Sequence, residues 1–358
     1  MLRVGLGSGS NRYTIKPAPN GQTTLHRSFS CPSSSDTYCG DADWKVGVMG
    51  DSVSSKNDSS SANTSVADRR NVKTVVFGEE FEFDAWYGCS SYFSDEERKK
   101  YARNLLERLY VCSRCFKYTS KASDMGQHLI ACSSSFSTPG KLIYQYNQFS
   151  IREVDGGKDK LYCQCLSLFA ALFVDTKSVC FAVDRFKFYI LIHHVSSKNE
   201  QAVGFFSKEK LSWDENNLAC ILIFPPFQGQ GLGQLLIEFS YQISILEGKL
   251  GSPEKPLSDH GRKSYLLYWC TTIAKTLPRI DHEGRVSIND ISYATGIRQD
   301  DVIEALQSMN AMQNLQTTDV EGKPRMTISP ERIAAWVAKR NINLQAPSLI
   351  DINCIIVS

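Results

Sequence analysis

The sequence predicts a mixed α/β protein of the α+β kind, with a metal-binding knuckle ahead of its main sheet and two short helices behind it. Three observations carry this. Aromatic-rich and β-branched runs between residues 179 and 224 read as consecutive strands. Apolar residues recur at helical spacing over 232–246, after a glycine-rich turn. Three cysteines and a histidine fall within 112–132 at metal-ligand spacing. The 358 residues are enough for two or three domains, and 42% hydrophobic residues are enough for ordinary cores. We divide the chain into a Ser-rich leader (1–70), an N-terminal module (71–145) holding the knuckle, a core (146–275) and a C-terminal segment (276–358).

The elements follow in chain order. From Ser28 to Asp68 there are twelve serines in 41 residues and few large apolar side chains. Such a stretch buries too little surface to offset its ordering entropy, so the leader is expected to be disordered. Order begins near Val72-Lys73-Thr74-Val75-Val76-Phe77, followed by a dense aromatic run from Phe81 to Phe93. Asp95 to Tyr110 reads as a helix, with Tyr101, Leu105, Leu106 and Leu109 on one face and acids in its first turn. Gln164 to Phe173 reads as a buried helix. Strands are expected around 179–181, 188–192, 202–206 and 218–224, as an antiparallel meander. Leu235, Leu236, Phe239, Ile243 and Leu246 mark the helix after the turn. Val286 to Met312 reads as two short helices about Thr295-Gly296-Ile297, a helix-turn-helix-like segment.

Composition excludes several classes. Forty basic against 38 acidic residues leave a net charge of +2, too weak a field to argue for nucleic acid or a membrane surface. No run approaches the roughly 20 apolar residues that span a bilayer, and Met1-Leu2-Arg3-Val4-Gly5-Leu6 runs into Gly and Ser rather than the apolar core of a secretory signal. The twelve cysteines are therefore read as reduced thiols and metal ligands rather than as a disulfide framework.

Two residues separate Cys112 from Cys115, twelve separate Cys115 from His128, and three separate His128 from Cys132. A Cys-x2-Cys knuckle sets two sulfurs on one ion, and a His and a Cys four apart share a helix face. Four ligands with no vacancy imply a structural zinc site. The helix of this finger carries no evident base-reading set, so sequence-specific DNA binding is not expected of it. Cys163 and Cys165, among apolar neighbours, read as core.

Gln228-Gly229-Gln230-Gly231-Leu232-Gly233 lies between a buried strand and an amphipathic helix, where free N–H groups at a helix start favour phosphate. A dinucleotide fold would want an acid about 20 residues on, at a strand end. Glu254 comes 21 residues after Gly233 but within Gly251-Ser252-Pro253-Glu254-Lys255-Pro256, a loop, and the dinucleotide reading loses.

Taken together, these segments closely resemble the MYST family of histone acetyltransferases over roughly residues 72–340. The resemblance is carried by Trp86-Tyr87-Gly88, the Cys-Cys-His-Cys finger, Pro139-Gly140-Lys141-Leu142-Ile143-Tyr144 and Tyr162-Cys163-Gln164-Cys165-Leu166. It continues through Gly204 to Glu209, Asn217 to Leu222, the glycine loop and Gly251 to Asp259. It implies a GNAT-like core that binds acetyl-coenzyme A, preceded by the zinc finger. It also implies transfer of acetyl to a histone lysine, most of all in the histone H4 tail, within a nuclear complex with accessory subunits that acts in silencing and transcription.

By position, the resemblance places cofactor contacts on Ile221 and Ile223, on Gly229, Gln230, Gly231, Leu232, Gly233 and Gln234, and on Ser258. It makes Glu254 the general base, Cys220 the active-site cysteine and Lys177 an autoacetylated lysine. A lysine amine with a pKa near 10.4 needs such a base, and a carboxylate of pKa about 4.3 suits the work once burial raises it. Pro253 and Pro256 are expected to hold Glu254 in a dry site. Cys220 leaves two mechanisms open, an acetyl-thiolate intermediate with ping-pong kinetics or direct attack in a ternary complex. The chain departs from the family where Gly229, Gln230 and Gln234 replace loop cations, which removes charge-assisted phosphate bonds. Asp300, Asp301 and Glu304 in the helix-turn-helix-like segment oppose duplex binding there. That segment is expected to pack beside the cofactor cleft.

Overall fold

The computed structural model describes residues 14–15, 71–93, 105–174, 181–196, 199–280, 286–318 and 324–356. The expectation for the leader lies outside these residues, apart from β1 (Thr14–Ile15), which pairs antiparallel with Glu82 and Phe81 of β3 (Phe81–Asp84). β2 (Val72–Phe77) joins β3 on one side and, in parallel, β4 (Leu106–Val111) on the other, and β5 (Tyr118–Thr119) completes the sheet.

β4 corrects one expectation. Residues 94–104 lie outside the described part of the predicted helix over 95–110, and from Leu106 the chain is a strand. Leu106 and Leu109, three apart, imitate a helix face, but they are buried with Val111 because the parallel register Val72↔Leu106 to Phe77↔Val111 claims their backbone. Long-range pairing overrides local periodicity.

The second sheet is an antiparallel meander of β6 (Lys141–Tyr146), β7 (Phe149–Asp155), β8 (Phe186–Ser196), β9 (Asn199–Glu209) and β10 (Cys220–Ile223), with β10 at an edge. The expected strand around 179–181 falls mostly outside the described residues. Phe181 is an exposed bend leading into a short 3-10 turn at Val183–Arg185. α1 (Ala122–Ser135) belongs to the finger, and α2 (Lys160–Ala171) is the expected buried helix. α3 (Leu232–Leu246) starts and stops where its apolar spacing does. α4 (Asp259–Ile280), 22 residues long, is a helix the sequence reading did not place.

α5 (Ile288–Thr295) and α6 (Gln299–Ser308) are the expected short pair. They are joined through Gly296 at φ 71°, a left-handed conformation that favours glycine. A capping box of Ser287 and Asp290 starts α5. A hairpin of β11 (Met312–Thr318) and β12 (Pro324–Ile328) and then α7 (Pro330–Lys339) follow.

Four apolar clusters organise the described residues. One joins the finger sheet to α2 and the meander, one lies between the meander and α3, one packs α4 against α3, α5, α6 and α7, and a small one within the finger gathers Cys112, Met125 and Cys132. No helix among the described residues is long and apolar enough to cross a membrane.

Candidate active site and metal centre

The metal group forms at the junction of β4, β5 and α1. Cys112 and Cys115 sit on the tight knuckle between the two strands, and His128 and Cys132 face it from one side of α1. The knuckle closes by Phe116 N–H donating to the Cys112 carbonyl at 3.1 Å and Cys112 N–H to Lys117 at 2.8 Å. Phe116 adopts φ 61°, unusual for a bulky residue, and is fully buried. Its ring packs against Phe77, Phe169 and Phe224, and that burial offsets the strain.

The four ligand atoms lie within 4.8 Å of one another. Cys112 and Cys132 sulfurs are 3.8 Å apart, and Cys115 Sγ is 3.2 Å from His128 Nε2. A zinc tetrahedron with Zn–S bonds of about 2.3 Å has sulfur–sulfur edges of about 3.8 Å, so the donors fit that ion in number, chemistry and spacing. Hydrogen bonds from Cys115 and Cys132 draw the Cys112 thiol well below its ordinary pKa, while those two thiols are pushed up. A divalent cation removes that conflict by stabilising all three thiolates together. Cys163 and Cys165 take no part: burial pushes their thiols up to about 12 and about 11, as befits core residues.

A cleft of about 370 Å³ opens on the edge of the meander. Cys220, Ile221, Glu254 and Ser258 all line it, so the structure brings together four residues that the sequence scatters over 39 positions. The edge strand explains why. Phe224 N–H bonds back to Val203 on β9 at 3.0 Å, so backbone groups of alternate residues, Ile221 and Ile223, point to the open edge. The Gln228 side chain donates to the Ile223 carbonyl at 2.8 Å from that side. At the start of the strand, Cys220 pairs with Ser207 while Ala219 N–H also donates to Ser207, at 2.7 Å. Two residues against one make a bulge, which turns the Leu218 carbonyl outward.

That carbonyl accepts the N–H of Glu254 at 2.8 Å. The segment carrying Glu254 is thus an added strand. It bridges in parallel to Leu218 through Pro253 and, on its other side, to Ile297 in the turn between α5 and α6 through Gly251. Gly251 N–H donates to Gly296, Arg298 N–H to Gly251, and Asn217 N–H to Ser252. A Cβ on Gly251 would come within 2.6 Å of Asn217 Nδ2 and 2.8 Å of the Tyr241 ring, so close approach demands glycine. The Lys255-Pro256 peptide is cis.

Glu254 itself is exposed on the rim of the cleft. Of the flanking prolines, Pro253 is buried and Pro256 is exposed, and both line the cleft beside it. Ser258 is the N-cap of α4, its hydroxyl accepting Gly261 N–H at 3.1 Å.

The glycine loop lies past the other end of β10 and does not line this cleft. Gly229 and Gly231 adopt φ 76° and 80° and, with Gln230, are exposed. Leu232 is buried as the first residue of α3, Gly233 follows it, and Gln234 is tied to the Ser264 carbonyl at 2.8 Å. Lys177 lies outside the described residues.

The sequence groups Asp300, Asp301 and Glu304 as acids that oppose duplex binding, but the structure gives them different settings. Asp301 is fully buried, with its Oδ1 2.7 Å from Lys255 Nζ, and Glu304 lies 3.8 Å from the same ammonium and 2.9 Å from Arg262. The link between α6 and the Glu254 segment spans 46 residues, and nothing local in the sequence signals it.

Comparison with known proteins agrees with this architecture. A family model described as the MOZ/SAS family matches residues 137–355, and one described as the MYST family zinc finger domain matches residues 69–132. Histone acetyltransferase SAS2 of Saccharomyces cerevisiae is 40% identical over 69% of this chain and 77% of its own length. Histone acetyltransferase MOF of Drosophila melanogaster is 44% identical over 66% of this chain, which spans only 27% of that protein. For histone acetyltransferase KAT6B of Mus musculus the figures are 42%, 67% and 12%. With a zinc-finger module and a cleft-bearing core both matched in order, the chain belongs to the MOZ/SAS family of histone acetyltransferases.

Proposed function

We propose that this chain transfers the acetyl group of acetyl-coenzyme A to a lysine of the histone H4 tail, with Glu254 as the general base. The observation that carries the reading is the meeting of Glu254 and Cys220 in one cleft at the open edge of β10. Glu254 takes a proton from the lysine ammonium, and the freed amine forms its C–N bond at the thioester carbonyl. The C–S bond then breaks, and the coenzyme A thiolate leaves and takes a proton. Outward backbone groups at Ile221 and Ile223 hold the acyl end. The loop from Gly229 to Gln234, with the first amides of α3, receives the pyrophosphate, and Ser258 adds a contact beside the base. In direct attack Cys220 shapes the cleft; in a ping-pong scheme it carries the acetyl group.

Zinc held by Cys112, Cys115, His128 and Cys132 is structural, since all four positions are taken by protein. Lys177 is the site of autoacetylation in this reading, a modification that removes a positive charge. The setting is nuclear, in a silencing complex with accessory subunits, and no sequence-specific DNA contact is assigned.

The test is radiolabelled transfer to an H4 tail peptide by wild type and Glu254→Gln, with zinc content and folding checked, alone and with accessory subunits. Loss of most transfer in Glu254→Gln supports the reading. The cation-poor glycine loop favours one alternative, a weakly active structural subunit. That alternative holds if wild type neither transfers acetyl in any combination nor binds acetyl-coenzyme A. Transfer to other proteins but not to histones would redirect the substrate alone.

A further inference from the structure

We infer that Asp301 is a positioning residue for Glu254, acting through Lys255 across the junction between α6 and the added strand. The inference rests on the reading of Glu254 as the base.

Glu254 sits where the hold on its segment changes character. Upstream, backbone bonds fix the chain on both sides, from Gly251 to the Glu254 N–H itself. Immediately downstream the hold passes to a side chain: Lys255 Nζ reaches Asp301 Oδ1 at 2.7 Å and lies 5.9 Å over the centre of the Trp269 ring. Glu254 is therefore pinned between a backbone ladder and an ionic clasp. Lys255 is also the cation next to Glu254 in sequence, and its ammonium is committed to Asp301 and Glu304. That commitment keeps the charge of Lys255 from neutralising the carboxylate that must accept a proton.

The clasp is a poor device for stability alone. Asp301 has a side-chain exposure of 1%, against 46% for Lys255, and its second oxygen, Oδ2, is buried without a hydrogen-bond partner. Burial pushes the Asp301 carboxyl above its ordinary range, opposed by the Lys255 bond and by the nearby Ser252 hydroxyl. A well-packed apolar pair commonly does as well or better at such a place. The third residue of α6 does favour a carboxylate, because the helix start presents partial positive charge. That explains how the charge is tolerated. Why a buried charge holds the residue after Glu254 is answered by placement of the base.

The test compares full-length wild type, Asp301→Asn, Lys255→Met, Lys255→Arg, Glu254→Gln and the double variant Lys255→Met/Asp301→Leu. Acetyl transfer is measured per folded, zinc-loaded molecule, well below each thermal midpoint. We expect kcat to fall about tenfold or more in Asp301→Asn and Lys255→Met, with the KM for acetyl-coenzyme A within about threefold of wild type. Lys255→Arg keeps most of kcat. The double variant regains thermal stability yet stays slow, which a merely structural clasp would not do. Wild-type kcat in Lys255→Met or in the double variant overturns the inference, even if Asp301→Asn fails to fold. If Glu254→Gln is inactive while the clasp variants are fully active, only the positioning role falls. If Glu254→Gln retains full transfer, the base reading falls and takes this inference with it.

Discussion

The ring of Phe77, on β2, stacks on that of Phe169, on α2, with centroids 5.0 Å apart and planes 13° from parallel. Phe116 of the zinc knuckle and Phe224 at the end of β10 close around the same pair, at 5.1–6.1 Å from Phe77, Phe169 or each other. Through these four rings the metal-binding module and the sheet that bears the cleft share one core. Phe169→Ala is expected to lower unfolding free energy by about 3–5 kcal/mol. Urea unfolding followed by far-UV circular dichroism measures it, and a loss under about 1 kcal/mol would mean that the two modules are not coupled here.

Cys132→Ser removes one of four ligands and is expected to abolish stoichiometric zinc binding and lower the thermal midpoint. The unfolding of the finger then exposes Phe116, so the transition should broaden rather than merely shift. Elemental analysis of the purified wild type gives the first decision: with no zinc in it, the metal assignment fails.

Ser258 caps α4 and, in the proposed function, also contacts the cofactor, and the two roles are separable. As N-cap of α4, its replacement by Ala costs about 1 kcal/mol, whereas Gly costs only a few tenths. As a ligand contact it is lost equally in both. Ser258→Gly is therefore expected to keep near-wild-type stability while raising the KM for acetyl-coenzyme A, and an unchanged KM would leave Ser258 with capping alone.

Asp155 accepts a hydrogen bond from Lys210 at 2.6 Å, which holds its carboxyl below the ordinary range. A depressed folded pKa stabilises the protein fully above the unfolded value of about 3.9 and loses that contribution as pH falls through the folded value. Wild type should exceed Asp155→Asn by less than about 1 kcal/mol at pH 7, since the pair is partly solvated. The gap should narrow below pH 4. A gap that is constant from pH 7 to pH 3.5 in urea titrations would rule out the ion pair as its source.

Gly251→Ala places a methyl group against Asn217 and Tyr241, where the side-chain amide and the ring leave no room. Overpacking of this sort costs about 1–3 kcal/mol, and the displaced strand should carry Glu254 away from the cleft. Acetyl transfer is expected to drop more than stability does, read as kcat at a temperature where the variant is fully folded.

Some of this was legible in the sequence because its determinants are local. The metal ligands are set by a two-residue knuckle and one helix turn, so spacing alone placed Cys112, Cys115, His128 and Cys132 together. α3 was legible from its apolar stripe, and the turn at Gly296 from a glycine between two amphipathic runs. What failed was non-local. β4 was taken as helix because the partner that makes it a strand, Val72–Phe77, lies some thirty residues upstream. α4 begins with polar residues after a proline-rich turn, and its buried Tyr265, Trp269, Cys270 and Ile273 face several partners, which blurs the stripe. Asp301 carries no mark that separates it from its exposed neighbour Asp300. Only the fold, by delivering Lys255 to it, makes one acid a buried anchor and leaves the other in solvent.

The strand from Gly251 to Glu254 lies between Leu218 of the sheet and Ile297 of the helical pair, so it belongs to both halves of the molecule. A truncated protein ending after α4 would lose more than a peripheral lobe. It would strip one wall from the peptide that carries the candidate base, together with the acid that clasps Lys255. Catalytic competence is thus a property of the joint between segments, and shortened or chimeric versions of this protein should keep their function only when 251–256 and 287–308 come from the same parent.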